Sequence, residues 1–178
     1  MKTSLTLIAL IATSISYCQD IPELSIKITG VEEIIVLVEG KTSSEIYTKS
    51  INWIKETYRN PEEVIKMTIE NEKIRIEGYQ NNAWYYKSLG IKQNYDMVYE
   101  LQISIKDDRY KLEFIPMKFY TSVGLPAYDY TTFFKANGDT RKTYAPAVES
   151  LNQSMNDIST SLYNYVLNGG SDSKEGDW

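Results

Sequence analysis

Apolar and polar residues alternate most clearly between Met97 and Phe114. A spacing of two is typical of a β-strand that buries one face. The adjacent acids Asp107 and Asp108 interrupt this alternation, and aspartate side chains favour tight turns because they bond to the nearby backbone. The sequence therefore predicts a long β-hairpin whose strands bury the following residues on one face: Met97, Tyr99, Leu101, Ile103, Ile105, Tyr110, Leu112 and Phe114.

More strands are predicted before this hairpin. Leu24, Ile26 and Ile28 alternate with polar residues up to Gly30, and the apolar run at residues 34–38 is typical of a buried strand. A shorter hairpin is indicated at residues 64–76, where the sequence ENEK forms the turn between two alternating stretches.

The segment GYQNNAWYYKSLGIKQN, residues 78–94, connects the two predicted hairpins. It has no sustained alternation, and we interpret it as a connecting segment. As an alternative, AWYYKSL forms a short strand with Trp84 and Tyr86 on one side. Residues 121–144 also lack a clear period and are interpreted as a long loop, with room for a small hairpin around Asn137-Gly138.

Two amphipathic helices are predicted. In the first, Thr42 can cap the N-terminus and Glu45, three residues later, completes a capping box. This helix ends before Pro61. The second begins near Pro146 and ends at Gly169. Their apolar residues recur at helical spacing: Tyr47, Ile51, Ile54 and Tyr58 in the first helix, and Val148, Leu151, Met155, Ile158 and Leu162 in the second.

The first 18 residues are typical of an export signal, since Lys2 precedes a short apolar run that ends at Ile15. Cleavage is predicted between Cys18 and Gln19. The alternative is a lipoprotein with Cys18 acylated, although the residue before the cysteine is the bulky Tyr17. We expect one domain over residues 19–167, a disordered polar tail over residues 168–178, no transmembrane segment, and a periplasmic or secreted, envelope-associated protein.

Composition excludes several chemistries. The chain has no histidine and one cysteine, so serine or cysteine triads and zinc sites are not expected, nor is any metal or cofactor. Removal of Lys2 leaves 18 of the 19 basic residues against 24 acidic ones, a net charge of −6. Because such a surface repels phosphate backbones, no nucleic-acid partner is expected.

Paired carboxylates are the remaining route to catalysis, because two of them at a suitable separation hydrolyse glycosidic bonds without histidine. The crowded acids are Glu70, Glu72, Asp107 and Asp108. All four lie in predicted hairpin turns, where solvent keeps them ionised. We therefore assign no catalytic residue, and a hydrolase acting on glycans stays an alternative.

The order of elements resembles a known family. The predicted helix at residues 45–58, EIYTKSINWIKETY, is similar to a helix of that family in which a tyrosine is followed by a tryptophan. The predicted turn at residues 106–114, KDDRYKLEF, is similar to a hairpin turn of the same family. The family consists of exported Bacteroidota proteins of unknown function with a TATA-binding-protein-like fold. The resemblance covers residues 36–115 and implies an α+β fold, a curved antiparallel sheet with two helices on one face. It implies no catalytic residues.

Aromatic residues outside the predicted core indicate a binding function. Aromatic side chains offer large contact areas and recur at contact surfaces. The hypothesis is a non-catalytic binding or interaction module that uses the uncovered sheet face to bind a protein, peptide or glycan. Alternatives are loops that bury these rings as a satellite core, and a structural component of an envelope assembly. The candidate ligand-binding residues are Trp84, Tyr85, Tyr86, Tyr128, Tyr130, Phe133 and Phe134.

Overall fold

The computed structural model describes residues 21–169. The predicted export signal with its cleavage site at Cys18 and Gln19, and residues 170–178 of the predicted tail, lie outside the described residues. The elements in chain order are β1 (Ile26–Lys27), β2 (Gly30–Val31), β3 (Ile34–Leu37), α1 (Ser43–Thr57), α2 (Pro61–Val64), β4 (Ile65–Ile69), β5 (Lys73–Ser88), β6 (Ile91–Lys106), β7 (Arg109–Thr121) and α3 (Ala145–Asn168), with 3₁₀ turns at Tyr130–Phe133 and Lys142–Tyr144 before α3.

A five-stranded antiparallel sheet in the order β3-β7-β6-β5-β4 forms the centre of the fold. Both predicted hairpins are present, with β4 and β5 in the first and β6 and β7 in the second. Asp108 has the positive φ of 64° that its turn requires, a conformation that aspartate tolerates better than most residues. The predicted α+β class with an antiparallel sheet is confirmed.

Residues 78–88 and 91–94 are strand, joined by a turn at Leu89 and Gly90, so the alternative prediction of a strand at AWYYKSL is correct as far as Ser88. The pairing shifts between Gln80 and Trp84, where Asn82 adopts a φ of 51°. This irregularity interrupts the alternation and hides the strand in the sequence. The carboxylate of Asp96 on β6 holds the bulge, because its Oδ1 accepts a hydrogen bond from the Asn82 N–H at 2.8 Å.

One face of the sheet forms the core, against α1 and α3. The predicted inward residues of β6 and β7, from Met97 to Phe114, are all buried. The helices contribute Ile46, Trp53 and Ile54 from α1 and Leu151, Met155 and Leu162 from α3. The two helices also contact each other, since the indole N–H of Trp53 donates to the Ser161 hydroxyl at 3.0 Å.

The end of α1 next to the β6–β7 turn is fixed by a dense set of hydrogen bonds. The predicted capping box is present, with Thr42 and Glu45 each bonded to the other's backbone N–H. In addition, Asp107 accepts from the Ser43 N–H and Asp108 from the Gly40 N–H, both at 2.7 Å. The two acids therefore tie the hairpin turn to the start of α1.

The expectation of a buried strand at residues 34–38 is wrong for two of its five side chains. In β3, Ile34 and Val36 are buried, whereas Ile35 and Leu37 are about half exposed. The reason is that β3 is an edge strand of a sheet covered on one face only. A continuous apolar run is therefore compatible here with a one-sided strand.

Gly78 makes room for the ring that joins the sheet to α1. It pairs across strands with Tyr99, and a Cβ added at Gly78 would lie 2.6 Å from the Tyr99 hydroxyl oxygen. That hydroxyl forms a short hydrogen bond with the hydroxyl of Tyr58 at the C-terminus of α1, and the Tyr99 ring stacks on Phe114.

We expect Gly78→Ala to destabilise the fold by about 1–3 kcal/mol, because the added methyl overpacks the Tyr99 ring. In the Tyr99→Leu background the same substitution should cost clearly less, since the ring is gone. Urea unfolding of the four proteins of this double-mutant cycle measures the difference. An equal cost of Gly78→Ala in both backgrounds would contradict the role given to Tyr99.

Candidate functional site

Three of the predicted binding aromatics belong to the core. Trp84, Phe133 and Phe134 are each at most 5% exposed. Trp84 stacks on Tyr95 with ring centroids 4.1 Å apart, and Phe133 lies edge-on to it at 5.0 Å. The alternative of a satellite core is therefore correct for these three, which are not available on the surface to a ligand.

This aromatic cluster lies on the same side of the sheet as the helices. Trp84 pairs with Tyr95, which is inward like Met97, and the segment after β7 packs onto this cluster through Phe133. The loop thus continues the helical layer beyond the start of α3. It leaves the opposite face of the sheet uncovered by any described residue.

The other four candidate aromatics keep part of their surface in solvent. Tyr128 is 58% exposed, and Tyr85, Tyr86 and Tyr130 are partly exposed. Tyr86 stacks on Tyr144 at 5.1 Å. The aromatics that the sequence grouped together are therefore divided between the core and two separate surfaces.

The uncovered face of the sheet, which we call the open face, carries charges of both signs. Arg75 lies 3.9 Å from Glu100, and Lys66 lies 3.7 Å from Glu77. The Gln102 side-chain amide donates to Glu113 on the neighbouring strand. Opposite charges on neighbouring strands leave no stretch of uniform sign across the middle of this face.

Apolar residues occupy the part of the open face near the end of β7. Ile115 is 50% exposed and Met117 is 43% exposed. They follow Phe114 in the run FIPM, which breaks the alternation of the strand. That run of consecutive apolar residues is the signal in the sequence from which these two exposed residues were predictable.

A groove of about 360 Å³ runs beside this apolar patch. One wall is Pro116–Tyr120 of β7, and the other is residues 126–130 of the following loop. The loop is held against the strand because the Thr121 N–H donates to Leu125 and the Ala127 N–H to Phe119, each at 2.8 Å. Tyr128 and Tyr130 therefore face Met117 across an open groove.

The outer edge of β7 is unpaired next to the groove. Pairing with β3 ends at Leu112, and backbone bonding to the loop starts again at Phe119. Between these residues, no backbone hydrogen bond to the outer side is present within residues 21–169. Pro116 lies in this stretch, and proline is tolerated in strands at such an edge because it has no N–H to offer.

Tyr79 and Asp96 form a polar pair on the open face near the bulge. The Tyr79 hydroxyl donates to Asp96 Oδ2 at 2.7 Å. This bond to a carboxylate raises the pKa of Tyr79 to about 12, with a smaller contribution from burial. Asp96 also holds the bulge, so its carboxylate is engaged on both oxygens and acts as a structural group.

Tyr58 and Tyr99 form a buried pair of tyrosines. A second cavity, of about 300 Å³, is lined in part by Tyr58 and Tyr99 between the helices and the sheet. Burial raises the pKa of Tyr58 to about 12 and that of Tyr99 further, so both hydroxyls are protonated at neutral pH.

The crowded acids of the two turns are separate groups. Asp107 and Asp108 bond to backbone N–H groups near the start of α1, whereas Glu70 and Glu72 are exposed in the turn between β4 and β5. Within residues 21–169 there is no cluster of three metal-ligating side chains, and no helix there is long and apolar enough to cross a membrane.

Comparison with known proteins agrees with this geometry. Residues 33–120 match the family described as "Domain of unknown function (DUF4468) with TBP-like fold". The chain carries a domain of the DUF4468 family. This match spans β3 to β7, the whole five-stranded sheet with α1. A search of curated proteins gives no match.

Two solved structures share the DUF4468 fold of this chain. One is a TBP-like protein from Parabacteroides distasonis, with a TM-score of 0.58 and 14% identity over 78% of this chain and 93% of that chain. The other is a DUF4468 family protein from Bacteroides ovatus, with a TM-score of 0.52 and 14% identity over 86% of this chain and 93% of that chain. The resemblance to a Bacteroidota family with this fold is confirmed.

The link between Asp107 and α1 predicts a pH dependence of the DUF4468 domain. The hydrogen bond from Ser43 lowers the pKa of Asp107 below its usual 3.8. A pKa that is lower in the folded state means that the ionised group stabilises the fold above pH 3.8, and that this contribution is lost as pH falls through the folded value.

We therefore expect wild type to be more stable than Asp107→Asn at neutral pH, with the difference shrinking below pH 3.8. Urea unfolding at a series of pH values measures it. Glu70→Gln, which changes an exposed acid in the other turn, serves as the control. A difference between wild type and Asp107→Asn that stays constant as pH falls well below 3.8 would show that the bond is not responsible.

Proposed function

We propose that this protein is an exported, non-catalytic binding module of the cell envelope, and that its groove and the adjacent open face bind an extended segment of a partner protein. The observation that carries the proposal is the groove beside the unpaired edge of β7. There Met117, Tyr128 and Tyr130 line an accessible channel next to the exposed Ile115.

The chemistry of the groove suits a polypeptide. Its aromatic and proline residues resemble the surfaces that bind extended peptides. Methionine and tyrosine are also enriched at protein interfaces, where they give large contact area. A pocket for a small molecule is generally more enclosed than this channel.

The charge of the open face argues against nucleic acid. A sheet that grips the minor groove of DNA presents lysines, arginines and apolar wedges. Here the central arginine and lysine lie near Glu100 and Glu77, and the whole chain carries a net charge of −5. Fold similarity alone carries no function, so the TBP-like fold does not change this argument.

Export is part of the proposal and rests on the N-terminal sequence. The apolar run up to Ile15 is too short for a membrane span and long enough for a signal. Cleavage before Gln19 gives a periplasmic or secreted protein, whereas acylation of Cys18 ties it to a membrane. The intact mass of the exported product distinguishes these two forms.

We expect peptides selected from a displayed library against the chain from Gln19 onward to bind the groove. Replacing both Tyr128 and Met117 by alanine should weaken binding of a selected peptide by about tenfold or more, since truncation of a central contact costs more than about 1 kcal/mol. Fluorescence anisotropy of a labelled peptide measures the affinity. Leu37→Ala, a similarly exposed apolar residue on β3, is the matched control.

Other results assign other functions. Selected peptides that bind the double variant as tightly as wild type would exclude the groove as their site. Binding on a glycan array without peptide binding supports a glycan ligand, and release of sugar products from those glycans supports a hydrolase. A stable complex with one envelope protein, without binding to peptides or glycans, supports a structural component.

A further inference from the structure

The hairpin of β5 and β6 extends beyond the rest of the sheet. β7 pairs with β6 only as far as Tyr95, through Thr121, so the four residues Ile91–Asn94 pair with β5 alone. At about 3.4 Å per residue this gives a two-stranded projection of about 14 Å. We call residues 85–94 the arm.

The tip of the arm is apolar and conformationally costly. Leu89 and Gly90 form its two-residue turn with φ of 50° and 79°, a geometry that favours asparagine followed by glycine. The other positive-φ residues besides glycine in the described chain are asparagine or aspartate. Leu89 is fully exposed and Ile91 is 65% exposed. Neither the turn conformation nor burial within the described chain therefore explains why apolar residues occupy these two positions.

A second apolar tip lies at the same end of the molecule. β6 runs from Ile91 to the turn at Asp107, so the arm is at the end opposite that turn. β7 returns antiparallel and ends beside Tyr95, where its following turn exposes Val123 and Leu125. Four exposed aliphatic side chains therefore project from two neighbouring turns at one end of the sheet.

The two tips themselves carry no acidic residue although the protein is acidic overall. The net charge is −5, yet residues 78–95 and 114–128 contain no aspartate or glutamate and do contain Lys87, Lys92 and Lys118. Asp96 and Asp129 directly follow these two segments. Lys87 and Lys92 lie directly opposite each other across the arm, with their ammonium groups 5.8 and 4.3 Å from the Tyr85 ring centroid. Like charges in such a pair destabilise a hairpin, and a negative partner removes that cost.

We propose that this end of the molecule binds the surface of an anionic lipid bilayer. Leu89, Ile91, Val123 and Leu125 enter the boundary between headgroups and acyl chains, and Lys87 and Lys92 contact lipid phosphates. Protruding aliphatic tips flanked by lysines fit a deformable lipid interface better than a flat protein surface. The proposal uses different residues from the groove and does not depend on what the groove binds.

Co-sedimentation with lipid vesicles tests the proposal. The chain from Gln19 onward, which contains every core residue described here and lacks the apolar N-terminal run, should bind vesicles that contain phosphatidylglycerol. It should not bind vesicles of phosphatidylcholine alone, and binding should weaken as salt screens the lysines.

Two double variants separate the apolar and the ionic contributions. Lys87→Gln with Lys92→Gln should weaken binding about tenfold or more, as expected when two lysines leave an anionic surface. Leu89→Asn with Ile91→Thr should weaken it to a similar extent, and asparagine suits the turn, so the fold is preserved. The matched control is Lys106→Gln with Ile69→Thr, which changes an exposed lysine and a half-exposed isoleucine at the opposite end of the sheet.

Three results would overturn the proposal. The first is a wild-type chain that does not sediment with anionic vesicles. The second is a control variant that loses as much binding as the arm variants. The third is self-association of the wild-type chain that increases with concentration in sedimentation velocity and is absent in the double variant Leu89→Asn with Ile91→Thr. That result would mean that the tips contact a second copy of the chain.

Discussion

The whole architecture depends on a sheet that buries only one of its faces. The long strands β5, β6 and β7 place every second side chain under α1, α3 and the segment that joins β7 to α3, and this single layer supplies the core. Tyr99 connects the layers, because its ring covers Gly78 and its hydroxyl bonds to Tyr58 at the end of α1. All the surfaces with a proposed function follow from the face and the edges that this layer leaves free.

Much of this fold was predictable, because period-two alternation and the capping box are local properties. The hairpin around Asp107 and the start of α1 at Thr42 agree with the sequence analysis. A strand in the arm is only the alternative prediction from the sequence, because the bulge at Asn82 interrupts the alternation and depends on the carboxylate of Asp96 on the neighbouring strand. Likewise, Asn156 on the polar side of α3 accepts from the Leu24 N–H and donates to its carbonyl, a contact across 132 residues that no local pattern indicates.

The candidate site was predicted less well than the fold. Segments without periodicity are predicted to keep their aromatic residues at the surface, but Trp84 and Phe133 complete the core beside the first turns of α3. The groove forms only because the loop after β7 folds back against that strand, and this contact is a feature of the tertiary structure. Its one local signal is the break in alternation at Ile115 and Met117. In a sheet with one uncovered face, apolar residues at positions where the alternation predicts polar ones therefore indicate a contact surface better than the presence of aromatic residues does.

Methionine oxidation tests the one-sided sheet most directly. Met117 is 43% exposed on the uncovered side, whereas Met97 and Met155 are fully buried beneath the helical layer. On mild treatment of the folded protein with hydrogen peroxide, followed by peptide mass spectrometry, Met117 should oxidise well before the other two, because the thioether must meet the oxidant. Equal rates for Met97 and Met117, or protection of Met117 in the isolated protein, would contradict a sheet with one buried and one accessible face.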